Sequence, residues 1–292
     1  MTTGQPQITG KTKVLGVIGS PIEHSLSPVM HNAAIAHLGL NYIYLPFAIA
    51  PDQLETAIAG FAAIGVQGFS VTIPHKQAIM PLLSDISEVA QTIGAVNTVC
   101  RTDTGWFGTN TDVTGFVSPL RTQARDWSQC PVVVLGNGGA ARAVVAGCAD
   151  LGCDRIQVVG RDRDRLQAFL ESWNTELSAK LDIFEWGVLP DLLSSAGLIV
   201  NTTPLGMAPK IDASPLTPDE IQQIQPGTLV YDLIYTPNPT QLLRDAKQQG
   251  AIAIDGLEML VQQGATAFEL WLDHTAPVDV MRQALKQALG LN

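Results

Sequence analysis

The sequence is poor in basic residues, and this scarcity limits what the protein can bind. Only 17 lysines and arginines occur in 292 residues, against 27 aspartates and glutamates, so the formal net charge is −10. A chain of this charge has no field that attracts a phosphate backbone, and we expect no nucleic-acid partner. An anionic small molecule would have to be held by a few local basic and polar side chains.

Cysteine, histidine and long apolar runs are also scarce. Cys100, Cys130, Cys148 and Cys153 form no Cys-x-x-Cys pair, and the five histidines have no clustered carboxylates beside them. We therefore expect free thiols and no metal site. No apolar run is long enough to span a membrane, and the opening segment MTTGQPQITGKTK has no apolar stretch typical of a secretion signal. These features predict a cytoplasmic protein without membrane contact.

What the sequence does have is a regular alternation of apolar strands and helices, typical of an α/β fold. In the first part we predict strands at 14–18, 42–47, 69–73 and 98–101 in a largely parallel sheet, with helices at 32–38, 51–65 and 78–93, the last with a break near Ser84. In the second part we predict strands at 131–135, 156–159, 198–201, 229–232 and 251–254, with helices at 113–125, 140–151 and 164–173. The second series is typical of a doubly wound nucleotide-binding sheet.

The segment GFSVTIPHK, residues 68–76, is the strongest indication of chemistry. Its strand runs into Pro74, which ends regular structure, and Lys76 follows two residues later. Downstream lie the amide of Asn97, in GAVNT, and the carboxylate of Asp112, in GTNTD. A lysine buried beside a carboxylate can carry a proton, and the three groups together could hold a polyhydroxylated anion. The alternatives are a surface lysine and, for Asp112, a helix cap.

Two hydroxyls in the segment HSLSP, those of Ser25 and Ser27, could bind a carboxylate or hydroxyl groups. The alternative is that Ser27 and Pro28 are the N-cap and first residue of a helix. Both could hold, because a helix N-terminus favours an anion. We interpret the neighbouring His24 and His31 as structural.

The segment GNGGAA, residues 136–141, follows a predicted strand and opens a predicted helix. In this position a Gly-x-Gly-x-x-Ala sequence favours a dinucleotide site, because Gly136 permits the turn and Gly138 lets a pyrophosphate approach the backbone. Ala141 would allow close packing of helix and strand. The alternative is a tight turn with no ligand.

The end of the next strand indicates which dinucleotide binds. Arg161 and Arg165 could grip a 2′-phosphate with their forked donors, which favours NADP. Asp162 between them would suit the ribose hydroxyl of NAD. A third possibility is that the run of alternating Arg and Asp at 161–165 pairs with itself at the surface.

Taken in order, these segments resemble the shikimate dehydrogenase family. The similar stretches are GSPIEHSLSPVMHN, GFSVTIPHK, GAVNT, GTNTD, LGNGGAARAV, NTTPLGM, YDLIYTPNPTQLL and DGLEMLVQQGA, which span residues 19–265. The resemblance implies NADPH-dependent, reversible reduction of 3-dehydroshikimate to shikimate, by a monomer or homodimer. It also implies a substrate-binding domain at 1–112, a Rossmann-type NADP-binding domain at 113–255, and C-terminal helices at 256–292 that return to the first domain.

The resemblance assigns residues to both ligands. It implies that the substrate carboxylate would meet Ser25 and Ser27, the ring hydroxyls Thr72, Asn97 and Asp112, and that Tyr235 and Gln263 would complete the site. It implies that Lys76 would be the proton donor and acceptor, partnered by Asp112. It implies that NADP would lie on Gly136, Asn137, Gly138, Gly139 and Ala140 at the pyrophosphate, Arg161 and Arg165 at the adenosine phosphate, and Leu233 and Gly256 at the nicotinamide, with Met259 as a further candidate.

Two positions depart from the family pattern, and three other functions stay open. Ser70 stands where the family commonly has Asn, and Asp162 where it commonly has Thr after the Arg. The second departure is similar to quinate/shikimate dehydrogenases that use NAD. A non-catalytic shikimate-binding paralogue is disfavoured by the intact Lys76 and Asp112, and a folate-type dehydrogenase is disfavoured by the paired serines.

Overall fold

The computed structural model describes residues 8–291 and divides the chain into two compact units. The first unit consists of Met1–Asp112 together with Val261–Asn292, and the second of Val113–Leu260. The chain thus re-enters the first unit at residue 261, whereas the resemblance places the start of the C-terminal helices at 256. The beginning of MTTGQPQITGKTK, for which we predict no secretion signal, lies outside the described residues.

The first unit is built on a six-stranded sheet. Its strands are β1 (Lys13–Gly19), β2 (Tyr42–Ala48), β3 (Gly68–Val71), β4 (Asp85–Ile86), β5 (Thr98–Thr102) and β6 (Gly105–Thr109), in the order β2-β1-β3-β5-β6-β4. Strand β1 pairs in parallel with β2 and β3, and β4 with β6. Strand β5 is antiparallel to both β3 and β6. The sheet is therefore mixed, because the short connection from β5 to β6 makes a hairpin where no crossover helix fits.

The helices in this part of the chain are α1 (Ser27–His37), α2 (Leu54–Ile64), α3 (His75–Ala78) and α4 (Glu88–Ile93). Helix α2 buries one face, which carries Leu54, Ile58 and Phe61. The helical segment predicted at 78–93 is broken near Ser84, as predicted. A 3₁₀ turn at Met80–Leu82 and strand β4 interrupt it, and α4 begins anew where the Ser87 hydroxyl accepts from the Ala90 amide.

The second unit contains a six-stranded sheet that is parallel throughout. Its strands are β7 (Val132–Leu135), β8 (Ile156–Gly160), β9 (Leu181–Glu185), β10 (Leu198–Asn201), β11 (Leu229–Asp232) and β12 (Ile252–Ile254), in the order β12-β11-β10-β7-β8-β9. This is the predicted doubly wound sheet, with β7 at the point where the strand order reverses. Strand β9 was not found from the sequence, because its half-exposed residues alternate too weakly with polar ones.

The helices of the second unit cover both faces of this sheet. They are α5 (Asp112–Arg121), α6 (Gly139–Asp150), α7 (Arg163–Glu171), α8 (Thr175–Ser178), α9 (Leu189–Leu193), α10 (Pro218–Ile221) and α11 (Gln241–Gln248). Two apolar clusters result: one contains Phe116, Val144 and Tyr231, and the other contains Leu193, Ile199 and Leu243. The layered arrangement leaves the carboxyl ends of the strands to carry the loops that can bind a ligand.

The last helices, α12 (Leu257–Leu272) and α13 (Val278–Leu289), carry the chain back to the first unit as predicted. Phe268 is fully buried, and the Trp271 indole donates to the carbonyl of Val99 at 2.9 Å. Both rings lie against the imidazole of His31. The C-terminal segment therefore completes the core of the first unit.

Within residues 8–291, no helix combines the length and apolar character needed to cross a membrane. The same residues contain no group of three or more His, Cys, Asp or Glu side chains arranged to hold a metal ion.

Candidate active site

Lys76 is held close to the end of β3 by both its backbone and its side chain. It lies in the short helix α3, directly after Pro74 and His75, and its carbonyl accepts from the Val96 amide at 2.8 Å. Its Nζ donates to Oδ2 of Asp112 at 2.5 Å, and the two side chains are only 18% and 10% exposed. Lys76 is therefore a fixed, mostly buried cation, and the surface-lysine alternative is wrong.

Asp112 is the first residue of α5, but its carboxylate does not cap that helix. The amide of Asp112 donates to Oδ1 of Asn110 at 3.0 Å, so Asn110 supplies the local turn. The second carboxylate oxygen, Oδ1, accepts from Nδ2 of Asn97 at 2.8 Å. Both oxygens thus face other side chains, which is the arrangement expected of a group that holds Lys76 in place.

Asn97 joins this ion pair to a buried hydroxyl network. Its Oδ1 accepts from the amide of Thr111 at 2.7 Å and from the hydroxyl of Thr98 at 2.9 Å. Its Nδ2 also reaches Oε1 of Gln263, on α12, at 3.4 Å. The sites predicted at Lys76, Asn97, Asp112 and Gln263 are therefore brought together in one connected cluster.

The two serines of HSLSP open helix α1. Leu26 occupies the N-cap position without a capping side chain, and Ser27 is the first helical residue. Ser25 Oγ accepts from the amide of Ser27 at 3.4 Å. The alternative that Ser27 is the N-cap is therefore wrong, and its buried hydroxyl stays available at the positive end of an eleven-residue helix.

Thr72 directly follows β3 and continues the face that carries Ser70, because side chains two residues apart share a face. Gly19 leaves the space that the Thr72 methyl group fills. Ser70 is 8% exposed, and its Oγ accepts from the phenol of Tyr44 at 2.9 Å. Burial raises the pKa of Tyr44 above its usual range, so the phenol stays a neutral donor. The hydrogen-bonded hydroxyls of Ser70 and Tyr44 thus lie where the family pattern has the side-chain amide of an Asn.

The glycine turn after β7 leaves its backbone open. Gly136 has φ +105°, and a Cβ there would lie 2.8 Å from Oγ1 of Thr202. Beside Gly138 and Gly139, by contrast, a Cβ would have no atom within 4 Å. Because α6 begins at Gly139, its free amides face this open space. Ala141 is fully buried against the sheet, as predicted. The turn fits a pyrophosphate.

The Arg–Asp run after β8 does not pair with itself. Asp162 is the N-cap of α7, and its Oδ1 accepts from the amide of Arg165 at 3.0 Å. Arg161, Arg163 and Arg165 are exposed, and among residues 8–291 none of them forms an ion pair. The self-paired alternative is therefore wrong. Three unpaired cations next to the glycine turn fit a 2′-phosphate.

Three other predicted residues lie in the second unit at the carboxyl end of β11. Leu233 and Tyr235 are half-buried in the loop that follows β11. The amide of Gly256 donates to the carbonyl of Ile234 at 3.3 Å, and a Cβ at residue 256 would overlap the Leu233 carbonyl. Glycine is thus required for this close approach. Met259 packs at the edge of the core behind it.

Comparisons with known proteins agree with this geometry. The model of the shikimate dehydrogenase substrate binding domain matches residues 17–99, and that of the shikimate 5′-dehydrogenase C-terminal domain matches 256–286. A shikimate dehydrogenase (NADP(+)) from Gloeothece citriformis is 61% identical over 287 residues, which cover 98% of this chain and 100% of that protein. The chain belongs to the shikimate dehydrogenase family.

Solved structures of shikimate dehydrogenases share the fold over the whole length. A shikimate dehydrogenase in complex with NADP⁺ has a TM-score of 0.88 at 37% identity and covers 98% of each chain. The Thermus thermophilus enzyme in complex with NADP(H) and shikimate has a TM-score of 0.84 at 33% identity, covering 95% of this chain and 100% of that one.

Sequence reasoning missed a buried polar network in the second unit. Asn201, Asp232 and Thr240 are all fully buried and are bonded to one another. Each lies within a stretch that carried the family resemblance, NTTPLGM or YDLIYTPNPTQLL. The available signal was a carboxylate that directly follows three residues of a buried strand, an expensive position for a charge.

Proposed function

We propose that this protein catalyses the reversible, NADPH-dependent reduction of 3-dehydroshikimate to shikimate, a step toward chorismate and the aromatic amino acids. The observation that carries the proposal is the ion pair of Lys76 with Asp112, nearly buried and bonded to Asn97. The names of the related proteins and the open glycine turn support NADP as the cofactor.

The polar groups of the first unit suit a hydroxylated carboxylic acid. Ser25 and Ser27, at the N-terminus of α1, would bind its carboxylate, since hydroxyls and a helix dipole favour an anion. Thr72, Asn97 and Asp112 would bind the ring hydroxyls, and Gln263 would extend the same hydrogen-bonded cluster. Tyr235, in the second unit, would supply a further phenol contact. Orientation of the substrate is the main contribution of these side chains.

Lys76 would carry the proton. In the direction of reduction its Nζ would donate a proton to the oxygen that becomes the hydroxyl, and in the direction of oxidation it would take that proton back. Oδ2 of Asp112 fixes Nζ, and Asn97 fixes the carboxylate in turn. The ammonium group of Lys76 would therefore be an acid–base group whose position is fixed by Asp112 and, through Asp112, by Asn97.

The second unit would hold the cofactor, which when bound supplies the hydride to the substrate carbon. The amides at Gly138, Gly139 and the start of α6 would bind the pyrophosphate. Arg161 and Arg165 would bind the 2′-phosphate, because no carboxylate in the described chain pairs with them. Asp162 points its oxygen at a backbone amide, which lessens its repulsion of the phosphate.

One spectrophotometric assay tests the function. We expect NADP to be reduced in the presence of shikimate, and more slowly when NAD or quinate is substituted. Preference for quinate with NAD would identify a quinate/shikimate dehydrogenase instead. Binding of shikimate without turnover under any of these conditions would identify a non-catalytic paralogue. We expect the enzyme to act in the cytoplasm as a monomer or homodimer, which cell fractionation and sedimentation measure.

A further inference from the structure

The buried carboxylate of Asp232, at the carboxyl edge of the second sheet, accepts three hydrogen bonds and has no assigned role. It is 0% exposed and ends strand β11. Its Oδ1 accepts from Nδ2 of Asn201 at 3.0 Å and from the amide of Ile234 at 3.1 Å, and its Oδ2 accepts from the hydroxyl of Thr240 at 2.7 Å. All three donors are neutral, and no cation in residues 8–291 pairs with it.

These bonds fix both ends of one loop. Ile234 is at its beginning, and Thr240 at its end is also the N-cap of α11, where its hydroxyl accepts from the amide of Leu243. The intervening residues 233–239 include Leu233, which the family resemblance places at the nicotinamide, and Tyr235, to which the proposed function gives a substrate contact. The Gly256 amide bonds to the same stretch, at the Ile234 carbonyl.

Asn201 connects this loop to the neighbouring strand end. Its Nδ2 donates to the Leu205 carbonyl as well as to Asp232, and its Oδ1 accepts from the amide and the hydroxyl of Thr203. The next residue, Thr202, lies against Gly136 of the glycine turn and donates to the Leu135 carbonyl. The carboxyl ends of β7, β10 and β11 are therefore linked by one chain of hydrogen bonds.

We propose that Asp232 is a positioning residue, oriented by Asn201, that holds loop 233–239 in the conformation that receives the nicotinamide end of NADP. The inference rests on the proposed function, because it requires NADP and the substrate to bind beside Leu233 and Tyr235. Three donors and no acceptor surround the carboxylate, so only its ionised form satisfies all of them. Protonation would force one donor, the Thr240 hydroxyl, to turn away.

Burying the Asp232 carboxylate disfavours its charged form, and this effect appears in its pKa. Burial raises the pKa of Asp232 to about 6, against the smaller opposing effects of its three hydrogen bonds. The charged group that acts on it from a neighbouring segment is the Asp255 carboxylate, which follows β12 and raises the pKa further. A group that only stabilised the fold would be better served by an uncharged side chain.

The experiment uses the whole chain and two variants. Asp232→Asn keeps the shape but replaces one acceptor by a donor, and Thr240→Val removes the hydroxyl bonded to Oδ2. We expect each to lower kcat and to raise the dissociation constant for NADPH, measured by fluorescence without turnover, by about tenfold. We expect the melting temperature of Asp232→Asn to stay at or above that of the wild type.

Two comparisons separate positioning from simple damage. Thr217→Val removes the N-cap of α10, an equivalent cap in the same unit that does not touch Asp232, and should leave kcat and NADPH affinity unchanged. Thr240→Ser keeps the hydroxyl and should restore both values. In the wild type, NADPH affinity should fall as the pH drops through about 6, and Asp232→Asn should lose that part of the profile. The 2′-phosphate of NADPH also titrates in this range, but it does so in both proteins, so the difference between their profiles reports on Asp232.

Wild-type NADPH affinity and kcat in Asp232→Asn, with shikimate turned over normally by the wild type, would overturn the positioning role and leave the proposed function intact. Loss of activity together with a large fall in melting temperature in Asp232→Asn would also overturn it. Failure of the wild type to reduce NADP with shikimate would instead count against the proposed function, while the fluorescence titration would still report on the loop.

Discussion

Each unit contains a buried aspartate at one end of a loop, Asp112 at the start of α5 and Asp232 at the end of β11, and their hydrogen-bond partners differ. Asp112 in the first unit accepts from a cation, Lys76, and from the amide of Asn97. Asp232 in the second unit accepts only from neutral donors. A carboxylate that faces an ammonium can direct proton transfer at that ammonium. A carboxylate that faces amides and a hydroxyl can only hold backbone in place, so the partners assign the two roles.

Removing Lys76, the cation that faces Asp112, should have the largest effect on turnover. Lys76→Ala should cut turnover roughly 10²–10⁴-fold, the usual contribution of general acid–base catalysis, with a much smaller change in the dissociation constant for shikimate. Steady-state kinetics and equilibrium binding measure the two quantities. Lys247→Ala, at an exposed position on α11, is the matched control. Near-normal turnover in Lys76→Ala would show that Lys76 is not the proton donor and acceptor.

Neutralising its partner should have the next largest effect. Asp112→Asn places an amide NH₂ where an oxygen now accepts from either Lys76 or Asn97, so two donors would face each other. We expect kcat to fall by about 10²-fold. The pH profile of kcat should also change shape, which full profiles of both proteins would show. An unaltered profile with full activity would reduce Asp112 to a structural residue.

A third prediction extends the comparison to Asp162, a carboxylate whose neighbours are guanidinium groups. Arg161→Ala should raise KM for NADP about tenfold or more, because a charge-assisted contact to phosphate is lost, and should leave KM for NAD unchanged. Asp162→Thr keeps a capping oxygen but removes the charge, so it should improve the use of NADP. Equal weakening of both cofactors by Arg161→Ala would mean that the arginine does not distinguish them.

The last prediction concerns stability, not activity, and falls on Asp232. Its folded-state pKa, about 6, is above the ordinary value of 3.8, so its stabilising contribution is present below 3.8 and is lost as the pH rises through about 6. Relative to wild type, Asp232→Asn should therefore gain up to about 3 kcal/mol of unfolding free energy between mild acid and neutral pH. Denaturant unfolding of both proteins at mildly acidic and at neutral pH measures this gain. A difference between the proteins that is independent of pH would contradict it.

Every strand whose burial is complete in the second unit could be predicted from the sequence. Strands β7, β8, β10 and β11 are buried at every residue, and their continuous apolar runs were recognised. Strand β9 and the two-residue β4 were missed, because each is partly exposed and owes its place to pairing with β8 or β6. Pairing between distant segments leaves no periodicity in either one.

The candidate site was predictable to the extent that its residues lie in short motifs. The bond between Lys76 and Asp112 joins two segments that were both identified, so their meeting could be expected. The hydrogen bond from Tyr44 to Ser70 could not be expected, because β2 and β3 are separated by β1 in the sheet. Neither segment contains a pattern that indicates the other as its partner. The capping role of Asp162 was hidden by its basic neighbours, whose charges suggested ion pairs.

The closing of the first unit by Phe268 and Trp271 has a consequence for biosynthesis. Residues that emerge early from the ribosome, such as Met30 and His31, are covered by Gly264 and Phe268 from the other end of the chain. The second unit is one continuous segment, so it can fold while translation proceeds, since domains generally fold as units during synthesis. The first unit must wait for the last helices. All six strands of its sheet precede residue 110, so the sheet is synthesised well before the two helices that complete its core.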